Sequence, residues 1–142
     1  MAKKKRRKKK PTTFRSKRFL EKHGYHVWLV ERYISFIHTR IDMYHFADQV
    51  AIRADQPGVL AVQTTVKGKL PEHIRMLKKN KYVKIWLRAA GNRIWLFGWG
   101  KFWQTQDKKQ IAPELWNVVL RKGIRNGKSK LVVALEDVEE FK

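Results

Sequence analysis

Two aspartates lie in a stretch whose composition is otherwise typical of a β-strand. The stretch is TRIDMYHFADQVAI, residues 39–52, and it contains Asp42 and Asp48. A carboxylate beside apolar residues is costly to bury unless it is paired, hydrated or bound to a metal. Asp42 and Asp48 are therefore candidates for a metal site. The structural alternatives for Asp42 are a cap on a turn or an ion pair with Arg40 or Arg53.

The strand predicted at residues 59–66 ends in amides and hydroxyls. Alternate residues of a strand share a face, so Gln63, Thr65 and Lys67 point the same way if the strand continues to Lys67. If this strand pairs with the one that contains Asp48, carboxylate, amide and hydroxyl oxygens meet at one edge of the sheet. Such oxygens suit a hard cation such as Mg²⁺. The alternative is that Gln63 and Thr65 are ordinary polar residues of an edge strand.

The charge of the chain indicates a polyanionic partner. The 142 residues include 33 Lys and Arg but only 12 Asp and Glu, which gives a formal net charge of +21. Nucleic acid is the first candidate and an anionic membrane surface the second. Eight basic residues, KKKRRKKK at 3–10, repel one another and predict a disordered tail over residues 1–13. That tail is suited to bind the phosphate backbone of nucleic acid or to act as a nuclear-localisation signal. Without its eight charges, the remainder of the chain still carries +13.

Several classes of protein are excluded by composition. The chain has no cysteine, so disulfides and thiolate metal sites are excluded. No apolar stretch approaches the ~18–20 residues of a membrane span, and no apolar segment follows the basic start as in a secretory signal. We therefore expect a soluble intracellular protein with no membrane partner. The five histidines show no metal-ligand spacing such as HExxH, although His45 lies close to the acids in sequence.

The predicted fold is α/β in a single domain over residues 14–142, with a core at 14–101 and a C-terminal hairpin extension at 102–142. The fourth strand of the core cannot reach the third by a tight turn, so a helical crossover and parallel pairing are expected. Asn126-Gly127 predicts the turn of the C-terminal hairpin. The predicted elements are a helix at 14–25 between Thr13 and Gly24, a meander of strands at 26–34, 45–52 and 59–66, a helix from Pro71 to Gly91, a strand at 93–99, and hairpin strands at 116–123 and 130–138.

Five short motifs in this order resemble the PD-(D/E)XK nuclease superfamily. That superfamily includes archaeal Holliday-junction resolvases and many restriction enzymes, and the closer resemblance is to its small phage and bacterial members. The resemblance covers about residues 14–101. The motifs are Val30-Glu31-Arg32, Arg40-Ile41-Asp42 with Phe46-Ala47-Asp48, LAVQTT at 60–65, WLRAAG at 86–91, and Gly98-Trp99.

The resemblance implies a restriction-endonuclease-like core and a DNA endonuclease of resolvase-like type that hydrolyses phosphodiester bonds with Mg²⁺ or Mn²⁺. The metal-binding aspartate of the first motif falls on Asp48, and Asp42 and Glu31 are the acids predicted to complete the metal site. The second motif departs from the superfamily, because Gln63 replaces its acid and Thr65 its lysine. The predicted catalytic residues are Asp48, Gln63, Thr65 and, as a displaced lysine, Lys67.

The predicted partner is nucleic acid, with DNA favoured. Resolvase-like relatives are commonly dimers, which makes a homodimer an option, and the resemblance places the protein in the cytoplasm of a bacterium or a virus-infected host. The alternative function is a catalytically eroded nucleic-acid-binding protein on the same scaffold, with a small basic scaffold protein as a third. The predicted nucleic-acid-binding residues are Arg40, Lys69, Lys78, Lys79 and Arg88.

Overall fold

The computed structural model of the protein describes residues 11–105 and 108–141, and the side chains of these residues except those of 102–105 and 108–109. The described chain is α/β, with a six-stranded mixed sheet and a separate two-stranded one. In chain order the elements are α1 (Thr12–Lys22), β1 (His26–Leu29), β2 (Arg32–Ile34), β3 (Thr39–Ile41), β4 (Gln49–Ile52), β5 (Leu60–Val66), α2 (Leu70–Lys79), α3 (Lys81–Arg88), β6 (Arg93–Thr105), β7 (Lys108–Arg125) and β8 (Lys128–Asp137). Short 3-10 turns span Ser35–Ile37, Lys67–Lys69 and Glu139–Phe141.

The order of strands in the main sheet is β1-β4-β5-β6-β7-β8. β1, β4 and β5 are antiparallel neighbours, as the predicted meander requires. β5 and β6 are parallel and are joined by α2 and α3, which confirms the predicted helical crossover. The β2–β3 hairpin forms the two-stranded sheet and is inserted between β1 and β4.

The C-terminal strands belong to the main sheet. Asn126 and Gly127 adopt φ values of 52° and 73° in the turn between β7 and β8, which confirms the predicted hairpin turn. β7 pairs with β6 from Ile94 opposite Val118 onward. The β7–β8 hairpin therefore adds two strands to the sheet beside β6, and β6 itself crosses the predicted boundary at residue 101.

The central strands are buried on both faces. On one face Ala61 and Leu96 pack with Leu77 of α2 and Val83 of α3. On the other face the core contains Leu20 of α1 together with Leu60, Val62, Trp95 and Phe97. Trp95 and Phe97 are 2% and 0% exposed and Trp99 is 9% exposed, so this row of aromatic residues is core. The two-sided burial predicted for residues 93–99 is confirmed.

The first helix begins and ends earlier than predicted. α1 starts at Thr12 after Pro11, so Thr13 is inside the helix and its side chain does not cap it. Gly24, with φ of 85°, follows the end of the helix and directs the chain into β1. Thr12 and Thr13 are thus excluded from the basic tail predicted for residues 1–13, whose residues 1–10 lie outside the described residues.

The strand predicted at 26–34 is two strands in two sheets. β1 ends at Leu29, and the backbone N–H groups of Val30 and Glu31 both donate to the carbonyl of Asp48, at 3.1 and 3.2 Å. This long-range contact turns the chain out of the main sheet and into β2. The strand predicted at 45–52 is likewise only β4, because Tyr44 and His45 adopt left-handed φ values of 51° and 62°.

The helix predicted from Pro71 to Gly91 is interrupted at Asn80. Asn80 has an extended backbone, and its side-chain oxygen accepts a 2.9 Å hydrogen bond from the N–H of Tyr82. Asparagine is a favoured N-cap, so Asn80 starts a second helix, α3, at the end of α2. Helix α3 ends at Arg88, three residues before Gly91. Gly91 has φ of 77° in the turn before β6.

Candidate metal centre

The β2–β3 hairpin brings two of the predicted acids together. Its register places Arg32 opposite Ile41, so Glu31 and Asp42 occupy the next position on each side of the ladder. The chain leaves β1 at Leu29, two residues before Glu31, and enters β4 directly after Asp48. The open end of the hairpin therefore lies beside Asp48, and carboxylate oxygens of Glu31, Asp42 and Asp48 lie within 4.8 Å of one another. We call these three residues the carboxylate cluster.

Asp48 is fixed by hydrogen bonds from its backbone and its side chain. Its N–H donates to the carbonyl of Val62 at 2.8 Å, and its Oδ2 accepts from the N–H of Thr64 at 2.9 Å. Its own carbonyl is the acceptor that turns Val30 and Glu31. Because Asp48 contacts both β5 and the start of the hairpin, its carboxylate is held at the junction of the two sheets.

Burial and like charge act together on Asp48. The residue is 5% exposed, and the pKa of its carboxyl is raised to about 8, with burial as the largest cause. Hydrogen bonding and charge repulsion from Asp42 and a smaller repulsion from Glu31 contribute to this rise, and the hydrogen bond from the Thr64 N–H opposes it. Such a group holds a proton near neutral pH unless a cation replaces it.

Gln63 and Thr65 lie beside the cluster, as the alternation along β5 predicts. Both line the same pocket of about 410 Å³ as Glu31, Asp42 and Asp48, and they are 5% and 6% exposed. Thr64 points to the opposite face, where its hydroxyl is hydrogen-bonded to that of Ser16 at 2.8 Å. The predicted meeting of carboxylate, amide and hydroxyl at one site is therefore present in the structure.

His73 is the site residue that the sequence analysis missed. It lies on α2, lines the pocket, and its Nδ1 is 3.2 Å from the Nε2 of Gln63. Burial lowers the pKa of His73, so the ring is neutral at physiological pH. His45, which lies nearer to the acids in sequence, is exposed on the turn before β4 and does not line the pocket. The proximity of His73 depends on how α2 packs on β5, and no local spacing reports it.

Lys67 does not lie in this pocket. The strand ends at Val66, and the Nζ of Lys67 donates to the carbonyl of Lys101 at 2.8 Å. A Cβ at Gly100 would be 2.5 Å from Cδ of Lys67, so the aliphatic part of this lysine lies against the glycine. The prediction that Lys67 is a displaced catalytic lysine is wrong, because the 3-10 turn directs Lys67 toward β6. Lys69, two residues later, lines the pocket instead.

The predicted nucleic-acid-binding residues fall into two groups. Arg40 and Lys69 line the site pocket, and Nη1 of Arg40 is 3.4 Å from a carboxylate oxygen of Glu31. Lys78 and Lys79 are exposed in the last turn of α2, and Arg88 is exposed at the end of α3. These last three do not line the pocket, so any contact they make with a polyanion is outside the candidate metal centre.

The residues of the pocket fit a divalent cation. Three carboxylates converge within 4.8 Å, and one of them is almost fully buried. Mg²⁺ and Mn²⁺ prefer oxygen donors of this kind. The raised pKa of Asp48 also supports a cation site. A cation among the three carboxylates would offset the repulsion that disfavours their ionisation.

Comparisons of the chain with protein-family models, with curated proteins and with solved structures found no match. Within the described residues, no helix is both long enough and apolar enough to span a membrane. The function proposed below therefore depends on the geometry and chemistry of the site.

Proposed function

We propose that this protein is a metal-dependent nuclease of resolvase-like type that hydrolyses phosphodiester bonds in DNA. The observation that carries the proposal is the carboxylate cluster, set in a pocket with Lys69 and Arg40 on a chain of net charge +21. Three acids brought together in so basic a chain support the binding of a metal ion next to a phosphate group. The positive remainder of the chain suits the polyanion itself.

The arrangement of elements supports a restriction-endonuclease-like core of the PD-(D/E)XK kind. A helix, an antiparallel β1-β4-β5 unit, a helical crossover and a parallel β6 follow one another as that core requires. The position of the carboxylate cluster, at Asp48 and beside the end of β5, also supports the site that the resemblance implies. The inserted β2–β3 hairpin then accounts for the second and third carboxylates, because it carries Glu31 and Asp42.

The metal ligands in this proposal are Asp48, Asp42 and Glu31. When bound there, Mg²⁺ or Mn²⁺ supplies a Lewis acid beside the phosphate and promotes the ionisation of water. Asp48 is positioned for this role by the N–H of Thr64, and its buried carboxyl gives up its proton when the cation binds.

The remaining pocket residues position substrate. Lys69 lines the pocket and offers an ammonium in place of the lysine that the second motif lacks, and Arg40 adds a positive charge at the rim, where its side chain is 68% exposed. Neutral His73 is able to accept a hydrogen bond from the Gln63 amide at Nδ1, which orients that amide next to the acids. Thr65 contributes a hydroxyl to the same wall. The proposed catalytic set is thus Asp48, Gln63 and Thr65 with Lys69 in place of Lys67.

A cleavage assay tests the proposal. The full chain is incubated with branched and linear DNA in Mg²⁺, in Mn²⁺ and in EDTA, beside Asp48→Asn. We expect cleavage in the metal-containing reactions, none in EDTA, and a loss of at least about a hundredfold in the variant. The matched control is Asp137→Asn, which removes an exposed acid at the end of β8 and should cleave like wild type.

One observation favours a second candidate, a nucleic-acid-binding protein that has lost cleavage. Gln63 occupies the position of an acid in the superfamily's second motif, and its amide nitrogen is engaged with His73. An amide is a weaker metal ligand than a carboxylate. DNA binding that is equal in wild type and Asp48→Asn, without cleavage in either metal, would favour this candidate over the nuclease.

A further inference from the structure

A second recess lies along α1, next to the site pocket. It consists of two adjoining cavities of about 580 and 330 Å³, and Arg15, Trp99 and Ile111 line both of them. Pro11 and Val66 line the larger cavity and also the site pocket. The recess therefore adjoins the candidate metal centre. We call it the α1 trough.

The trough is positively charged along its length. Helix positions 15, 18 and 22 recur at a spacing of one face, and two further lysines come from the loop after β5 and from β6. No acid is among the lining residues that the structure describes. The cations are Arg15, Arg18, Lys22, Lys67 and Lys101.

Apolar side chains lie between these cations and face solvent. Phe14, Val66 and Ile111 are 41%, 45% and 47% exposed. The wall behind them is rigid, because Trp99 is packed in the core and its indole N–H donates to the hydroxyl of Ser16 at 2.8 Å. A partner that fits this lining offers negative charge and flat apolar surface at short intervals.

We propose that the α1 trough binds one unpaired strand of nucleic acid and leads it to the carboxylate cluster. The inference rests on the proposed function of that cluster and names the form of its substrate. Phosphates of a single strand meet the cations, and its bases pack on Phe14 and Ile111. Base faces are available in a single strand and stacked away in a duplex, so only an unpaired strand uses both kinds of lining residue.

Binding of labelled oligonucleotides to the full chain in EDTA tests the proposal, since cleavage is then absent. The probes are oligo-dT, oligo-rU and a DNA duplex of equal length, measured by fluorescence anisotropy. We expect Phe14→Ser combined with Ile111→Ser to weaken single-strand binding by about tenfold and duplex binding by less than about twofold. Equal losses for single strand and duplex, or no loss for either, would overturn the proposal.

Two matched variants identify the surface. Ile124→Ser removes another exposed isoleucine of β7, at its far end beside the hairpin turn, and should leave single-strand binding unchanged. Arg15→Gln should weaken single-strand binding several-fold more than Arg88→Gln, although both remove one arginine charge. Equal effects within either pair would show that binding is not localised to the trough. Arg15→Gln also tests the surface if the double variant does not fold.

Single-strand binding in the α1 trough and nuclease activity at the carboxylate cluster can be contradicted independently of each other. Asp48→Asn should keep single-strand affinity in EDTA while it loses cleavage in Mg²⁺. If wild type binds single strands through the trough but cleaves nothing, the nuclease proposal alone fails. If cleavage depends on Asp48 but the trough variants bind and cleave like wild type, the trough proposal alone fails.

Discussion

Two acids near opposite ends of the β5–β6 pair, Asp48 and Glu140, are held in contrasting ways. Asp48 is 5% exposed, and the side chain of Glu140 is 26% exposed. Asp48 contacts Val62 and Thr64 toward the end of β5. Glu140 contacts Arg93, which lies opposite Leu60 at the start of β5. Glu140 accepts hydrogen bonds from the hydroxyl of Tyr25 at 3.0 Å and from Arg93 at 3.2 Å, and Arg53 lies at 3.4 Å.

The difference lies in what surrounds each carboxylate. Two arginines and a phenol compensate Glu140, whereas two other carboxylates lie within 4.8 Å of that of Asp48. Among the described residues, the arginine paired with the carboxylate cluster is the exposed Arg40. The sequence has 33 Lys and Arg residues for 12 acids, so cations for structural pairing are plentiful. Three acids gathered with one exposed arginine are better explained by a cation from outside the chain.

The largest expected effect is on the pH dependence of stability at Asp48. Its pKa is about 8 in the folded state and near 3.8 in the unfolded chain, so the folded state binds the proton more tightly between these values. Stability should therefore fall as pH rises from about 4 to about 8. Asp48→Asn lacks this fall and keeps an oxygen to accept from Thr64. Without metal at pH 8, the variant should exceed wild type by several kcal/mol, with little difference near pH 4.

Urea unfolding in EDTA across this pH range measures the effect. Asp137→Asn, an exposed acid, should follow the wild-type curve within about 0.5 kcal/mol. A variant less stable than wild type at every pH would show that Asp48 is a structural partner like Glu140.

The next effect is stabilisation by a divalent cation. Mn²⁺ at about 100 times its dissociation constant should raise the free energy of unfolding of wild type by about 2.7 kcal/mol. Asp48→Asn should lose this gain, whereas Glu140→Gln should keep it. The affinity for Mn²⁺ should rise between pH 6 and pH 8, because Asp48 must release its proton to bind. Isothermal titration calorimetry at the two pH values checks this. Unchanged Mn²⁺ binding in Asp48→Asn would contradict the cluster as the metal centre.

Glu140→Gln should act in the opposite direction to Asp48→Asn. It removes the charge that Arg53 and Arg93 share, and both arginines are only about a fifth exposed at 21% and 23%. We expect a loss of about 1–3 kcal/mol of unfolding free energy and a lower Tm. Glu21→Gln is the control, because the pair of Glu21 with Lys17 is exposed and should contribute less than about 0.5 kcal/mol. If Glu140→Gln loses no unfolding free energy, the proposed difference between Glu140 as a structural partner and Asp48 as a metal ligand is contradicted.

Patterns local in sequence predict much of this fold. The two-sided apolar run of β6, the crossover and the Asn126-Gly127 turn each follow from neighbouring residues. The errors in the predicted strands at 26–34 and 45–52 arise from contacts and backbone conformations that depend on the tertiary structure. The strand at 26–34 is split because a carbonyl eighteen residues away, that of Asp48, accepts from Val30. The turn before β4 needs left-handed backbone at Tyr44 and His45, which neither residue type predicts.

The candidate site was predictable only in part, for the same reason. Asp48, Gln63 and Thr65 are brought together by strand alternation, which the sequence displays. The choice of Lys69 over Lys67 depends on a 3-10 turn of three residues, and a strand that continued one step further would reverse it. His73 reaches the pocket because Leu70, at the start of α2, packs over Gly98, where a Cβ would approach Leu70 to 2.4 Å. That packing has no local signal.

The smallest expected effect is on stability, and it is seen when the same substitution to glutamine is made at Arg40 and at Arg53. Arg40→Gln should change stability in EDTA by less than about 0.5 kcal/mol, because Arg40 is 68% exposed and 3.4 Å from Glu31. Arg53→Gln should cost about 1–3 kcal/mol, since Arg53 is 21% exposed and also donates to the carbonyl of His23. Chemical unfolding of both variants in the same buffer measures the difference. Equal losses would mean that Arg40 compensates the carboxylate cluster as Arg53 compensates Glu140. The cluster would then need no external cation, and the metal centre would lose its main physical support.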